Sequence, residues 1–153
     1  MANAYHQIHL HAIFGVKYRK AILEKDWQPR IFGVIGNLIN ETGCKTLIVN
    51  GVEDHVHCLI SLNPVIAVSD LMKAIKAKSS KYVNDNNLTP IRFEWQRGYG
   101  MFSYSHSQIQ KVYQYIINQE EHHARQKFID EYIEFLQKFN ISYDERYVFK
   151  PLI

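Results

Sequence analysis

Two histidines two residues apart, His55 and His57, form the first chemically suggestive pattern in this 153-residue sequence. In a β-strand their side chains leave the same face, while Val56 between them points the opposite way. Two imidazoles held rigidly on one face can chelate a single divalent ion. His9-Leu10-His11 repeats the spacing on an earlier segment. There the plainer reading is a half-exposed polar face, whose rings flank the first pair if the two strands are neighbours. A third pattern lies further on. Ile109, Val112, Tyr113, Ile116 and Ile117 make one apolar stripe at helical spacing. Tyr115 and Gln119 fall off that stripe and lie one turn apart, on a face shared with Gln108, Lys111 and His122. Tyr113 therefore reads as core, and Tyr115 as a hydroxyl presented to something else.

These residues need elements to position them. Residues 5–18 alternate, with Ile8, Leu10, Ala12, Phe14 and Val16 on one face, which predicts a first strand. Trp27, Ile31, Val34, Ile35, Leu38 and Ile39 follow helical spacing up to about Gly43. Strands are predicted over 44–52 and 55–62, separated by Glu53-Asp54. Ser69 or Asp70 can cap a helix holding Val68, Leu71, Met72, Ile75 and Tyr82. After a loop at 84–90, residues 91–104 read as a fourth strand with an irregularity at Gly98 and Gly100. Two helices follow, one over 107–122 and one carrying Phe128, Ile129, Tyr132, Phe135, Leu136 and Phe139. The order β-α-β-β-α-β is the ferredoxin-like split βαβ: an α+β fold, with an antiparallel sheet covered by helices on one face, plus C-terminal helices.

Composition narrows the setting. Length predicts one domain over 1–153, and 46% hydrophobic residues suffice for a core. The start of the chain lacks the features of a signal peptide, and no run reaches the roughly 18 apolar residues of a membrane helix. Cys44 and Cys58 cannot build a disulfide framework. The expectation is a soluble cytoplasmic protein with reduced thiols. The net charge of +3 is unevenly spread: residues 1–111 hold thirteen Lys/Arg against eight Asp/Glu, and the remainder five against seven. Lys73, Lys76, Lys78 and Lys81, opposed in that stretch by Asp70, form either a solvated helix face or a phosphate track.

The combination of Asp54-His-Val-His-Cys-Leu-Ile with Tyr115-Ile-Ile-Asn-Gln119 resembles the single-tyrosine HUH transposases of the insertion-sequence-200-like group. Val16-Lys-Tyr-Arg-Lys20 and Trp95-Gln-Arg-Gly-Tyr-Gly100 extend the resemblance over roughly residues 5 to 123. It implies a ferredoxin-like fold, a Mg²⁺ or Mn²⁺ ion held by His55, His57 and Gln119, and Tyr115 as nucleophile. It also implies a homodimer with shared active sites, acting on single-stranded DNA with hairpin-bearing ends. The implied chemistry is metal-assisted cleavage through a 5′-phosphotyrosine, followed by rejoining. On the charge pattern, Lys17, Arg19, Lys73, Lys76, Lys78, Lys81 and Arg97 are the expected DNA contacts. Two rival classes are a non-catalytic single-stranded nucleic-acid-binding module on the same fold and a metal hydrolase using water. Neither would attach DNA to the protein. The tail 141–153 carries no readable role.

Overall fold

A four-stranded antiparallel sheet carries the histidines at its centre. In a computed structural model that describes residues 4–153, strands β1 (His9–Gly15), β2 (Lys45–Val52), β3 (His55–Ser61) and β4 (Gly100–Tyr104) lie in the order β2-β3-β1-β4. Helices α1 (Gln28–Glu41) and α2 (Val68–Asp85) complete the split βαβ pattern. Residues 1–3, where the amino terminus was read for a signal peptide, lie outside the described residues. Among those described, no helix is long and apolar enough to cross a membrane.

Period-2 alternation divides the sheet into two working faces. Leu10, Ala12, Phe14, Val56, Cys58 and Ile60 are all buried on the first face. Here α2 closes over them: the Trp95 ring meets Phe14 edge-on at 4.7 Å while its Nε1 donates to Ser79 Oγ at 2.9 Å. The opposite face holds His11, Ile13, His55, His57, Leu59 and Phe102, and it too is buried. Its cover comes from α3 (Ile109–Ile117), α4 (Gln119–His123) and α5 (Phe128–Lys138). Val112 and Ile116 of α3 pack on Leu59, so the apolar stripe read from the sequence is the side that docks, except for Ile117, which is exposed. Tyr113 is half-buried beside them.

Several boundaries differ from those the sequence predicts. The first strand is shorter than 5–18, with Val16 forming an isolated bridge to Trp95. The fourth begins at Gly100 rather than near 91. Residues before it bury Phe93 and Trp95 without a ladder, and Lys76 Nζ donates to the carbonyls of Gln96 and Gly98, both at 2.7 Å. Helix α2 starts one residue before Ser69, and no side chain caps it; Asp70 sits inside the first turn. The expected single helix over 107–122 is three pieces, because a 3-10 turn at His106–Gln108 precedes α3 and Asn118 leaves helical geometry before α4. The tail gains a role. Val148 and Phe149 are buried, Phe149 packing 4.7 Å from Tyr132, and Ile153 exchanges backbone hydrogen bonds with Lys17 and Arg19.

Close approach of α5 to the sheet depends on two glycines. A Cβ at Gly15 would lie 2.7 Å from the Phe128 ring, and one at Gly100 would lie 2.5 Å from Tyr132. Gly100→Ala is expected to lower stability by about 1–3 kcal/mol through overpacking. Gly33→Ala, in α1 with open space around it, should instead add roughly 0.5–1 kcal/mol by helix propensity. Thermal unfolding of the two variants measures the contrast, and equal shifts in Tm would show that α5 is not seated on Gly100.

Candidate metal and tyrosine site

Strand β3 aims His55 and His57 into the space beneath α5, and each ring is anchored on its outer nitrogen. His55 Nδ1 donates to Asp54 Oδ1 at 2.7 Å, and the ring stacks on Phe128 at 4.0 Å with 7° between planes. His57 Nδ1 lies 2.7 Å from Nε2 of His11, which is diagonal to it on β1. The inner nitrogens then converge. Oε1 of Glu131, from α5, is 3.2 Å from His55 Nε2 and 3.1 Å from Nε2 of both His57 and His123. Gln119 Oε1 is 3.2 Å from His55 Nε2, and its Nε2 donates to Glu131 Oε2 at 3.3 Å. Tyr115 donates its hydroxyl hydrogen to that same Oε2. Its ring rests 4.4 Å from His122 and 5.7 Å from Phe135.

Burial sets the electrostatics. It disfavours charge on His57 and pushes the pKa down to about 4, so this imidazole is neutral at physiological pH. Burial, with His57 beside it, likewise holds His11 well below the ordinary histidine value. For His55 burial acts the same way, but hydrogen bonds to Asp54 and Glu131 outweigh it and the pKa rises. Glu131 is desolvated, yet the imidazoles of His123, His55 and His57 gathered around it drive it well below the carboxylate range. Burial and then the Glu131 charge push the Tyr115 phenol above its usual value. Tyr115 is thus a protonated nucleophile candidate that must lose its proton as it reacts.

The donor set fits a divalent cation. With Nδ1 of His55 donating to Asp54, its Nε2 faces two oxygen acceptors, Glu131 Oε1 and Gln119 Oε1, so that either a proton or a cation must lie between them. His123 Nε2 is buried and makes no hydrogen bond although it is 3.1 Å from Oε1. A cation among them matches all these lone pairs at once. One ligand atom from each of His55, His57, His123 and Glu131 lies within 4.8 Å of the others.

The structure therefore brings together His55, His57, Gln119 and Tyr115, along with His11 as a flanking group. It leaves His9 apart, half-buried, with its ring 6.2 Å from His106. The basic residues do not form one surface. Lys73, Lys78 and Lys81 are exposed on α2, across the sheet from the histidines, and Lys81 pairs with Asp85. Lys76 serves backbone carbonyls, and burial lowers its pKa to about 8. Lys17 lies over the Tyr18 ring, and Arg97 is exposed. Arg19 borders a cleft of about 890 Å³ that reaches Asp54, His123, Lys127 and Lys150. A smaller hollow of about 290 Å³, lined by Tyr104, Lys111, Phe135 and Lys138, opens at Tyr115. Sequence reasoning missed His123 and Glu131. Each left a signal: His123 is four residues beyond Gln119, and Glu131 sits on the stripe between Phe128 and Phe135, where a charge has no place without partners.

Comparison with known proteins shows the chain's family and fold. The family described as "Transposase IS200 like" matches residues 4–119. The ISDra2 transposase TnpA of Deinococcus radiodurans is 29% identical over 76 residues, covering 50% of this chain and 54% of that protein. The match thus spans about half the length of that relative. In fold, the chain resembles the crystal structure of a candidate transposase from the same organism, with a TM-score of 0.61 and 20% identity over 78% of this chain and 95% of the other. It also resembles a REP-associated tyrosine transposase bound to a REP hairpin, with a TM-score of 0.59 and 13% identity over 80% and 73%.

Binding of Mn²⁺ measured calorimetrically checks the metal assignment. His55→Ala and His57→Ala should each weaken it by 10-fold or more, on the order of the losses seen when metal sites are damaged. His9→Ala should leave it unchanged. Equal affinity in all three would remove the ion from this place.

Proposed function

The chain belongs to the IS200-like transposase family, and on that premise we propose that it cleaves and rejoins single-stranded DNA through a phosphotyrosine on Tyr115. One observation carries this reading: the Tyr115 hydroxyl is hydrogen-bonded to the same carboxylate on which three imidazoles converge. A structural tyrosine has no need of that neighbour, whereas a phosphoryl-transfer nucleophile must lie beside the groups that stabilise charge on phosphate.

In the proposed reaction the Tyr115 oxygen attacks the scissile phosphorus in line with the departing 3′ oxygen. A P–O(Tyr) bond forms and the P–O3′ bond breaks. The phenol loses its proton, the 3′ oxygen leaves with the bonding pair, and it is released as a hydroxyl after gaining a proton. The number of phosphate ester bonds is unchanged, so a different 3′-hydroxyl can reverse the step and join new ends without ATP. His55, His57 and Gln119 would hold the divalent ion, Mg²⁺ or Mn²⁺ by the family resemblance. When bound, it would supply Lewis-acid stabilisation to the non-bridging oxygens. Asp54 and His11 orient the two central imidazoles, and the Phe128 and Phe135 rings exclude water around them. Because His55, His57 and Gln119 are fully buried, the phosphate reaches them when α4 and α5 shift, from the clefts beside Arg19 and Tyr115. Arg19 and Lys17 then meet the strand first. The proposed substrate is hairpin-bearing DNA, as in the REP-hairpin complex of the fold relative.

The proposed partner is a second copy of the chain. A homodimer exchanging α3 would build the same site from two polypeptides. Within one chain, however, the Tyr115 ring is 6.0 Å from that of His57, and this contact favours a site complete in cis.

Two experiments test the proposal. Labelled single-stranded DNA should become covalently attached to the wild-type protein and to Tyr113→Phe, and not to Tyr115→Phe. Attachment to Tyr115→Phe would transfer the nucleophile elsewhere, and no attachment to any form would favour a binding module or a hydrolase. Mixing His57→Ala with Tyr115→Phe protein, after subunit exchange is demonstrated, should restore no cleavage from a cis site. Recovered cleavage would establish the shared one.

A further inference from the structure

The span shared with the family ends at residue 119, yet two of the groups closest to the ion site lie beyond it, on α4 and α5. Glu131 is 1% exposed and uses both carboxylate oxygens in different directions. Oε1 faces Nε2 of His55, His57 and His123 at 3.1–3.2 Å, while Oε2 accepts from Tyr115 and Gln119. Ligand atoms at tetrahedral corners around an ion with bonds of about 2.0–2.1 Å are roughly 3.3 Å apart. The Oε1 separations are close to that value.

We propose that Glu131 is at once a metal ligand and the positioning residue of the nucleophile: Oε1 completes a coordination shell with His55, His57 and His123, and Oε2 fixes the Tyr115 hydroxyl. Ion occupancy and tyrosine placement then become one event. Gln119 acts as a fifth donor and as a brace, since its amide touches both His55 and the carboxylate. Three imidazoles and one carboxylate are the donor set of borderline transition ions such as Mn²⁺, Co²⁺ and Zn²⁺, whereas Mg²⁺ favours oxygen and retained water. The site therefore ranks transition ions above Mg²⁺. This inference rests on the reading of Tyr115 as nucleophile for its second half, while its first half stands on the ligand geometry.

The test uses the full-length chain and the metal alone. Co²⁺ is titrated into metal-free protein and followed by its visible absorption. Zn²⁺ is added in parallel while the ring signal of ¹³C-labelled Tyr115 is recorded, assigned by its loss in Tyr115→Phe. Glu131→Gln and His123→Ala should each weaken Co²⁺ binding by roughly 10-fold or more and change its spectrum. Tyr115→Phe, which keeps all four ligands, should alter Co²⁺ affinity far less than either of these variants. Zn²⁺ should shift the Tyr115 signal in wild type and not in Glu131→Gln, and Glu131→Asp, which keeps the charge, should recover part of the Co²⁺ affinity. Circular dichroism shows which variants fold. If Glu131→Gln does not, His123→Ala, which leaves the carboxylate in place, decides the ligand set. Wild-type Co²⁺ affinity in both Glu131→Gln and His123→Ala, with loss in His55→Ala and His57→Ala, would overturn the proposal and leave the metal site standing. Unchanged binding in His55→Ala and His57→Ala as well would overturn the metal site itself.

Discussion

A carboxylate can stay charged in a dry interior when surrounding groups replace the water it has lost, and Glu131 is the point where this chain meets that demand. Moving a carboxylate out of water costs several kcal/mol even after relaxation, and breaking a buried pair by removing one member costs about 3–5 kcal/mol. Three imidazole nitrogens, an amide and a phenol surround this one group. They come from three stretches of chain, β3, α3 and α4, so these elements share one electrostatic constraint with α5. The break at Asn118 and the close seating of α5 both serve it. Without the break Gln119 and His123 would continue the line of α3, and without Gly15 and Gly100 the aromatic side chains of α5 would stand off the sheet.

Separation of the sheet into two buried faces gives structure and chemistry different sides. The face under α1 and α2 is apolar, and the Cys58 thiol on it is pushed up in pKa by burial and stays inert. On the other face, Phe128, Phe135 and Phe102 enclose the polar cluster. Low polarisability around it strengthens every interaction inside, which is why anchored rings matter there. His11 and Asp54 are such anchors. They leave one inner nitrogen on each central histidine facing the same point.

Much of this was legible from one dimension. Strand alternation identified the face of β3 that carries His55 and His57, and helical spacing separated Tyr115 from the α3 stripe. Local rules sufficed because both depend on a residue's own neighbours a few positions away. Boundaries were less legible where tertiary contacts overrode local pattern. Phe93 and Trp95 alternate like a strand, yet the Asn84 side chain takes the N–H and carbonyl of Phe93 and Lys76 the carbonyls of Gln96 and Gly98, leaving only the isolated bridge between Trp95 and Val16.

The chain's own order of residues thus determined the split βαβ arrangement, the shared face of His55 and His57 and the separation of Tyr115 from the α3 stripe, since periodicity and spacing are properties of sequence. The tertiary structure decided which distant groups complete the site. His123 and Glu131 are 68 and 76 positions from His55, and no local rule links them to it. Their meeting depends on how α4 turns after Asn118 and how deeply α5 settles on the sheet. It likewise decided that the lysines of α2 lie across the sheet from the histidines, because the face on which a helix packs is fixed by the direction of its crossover and not by its charges.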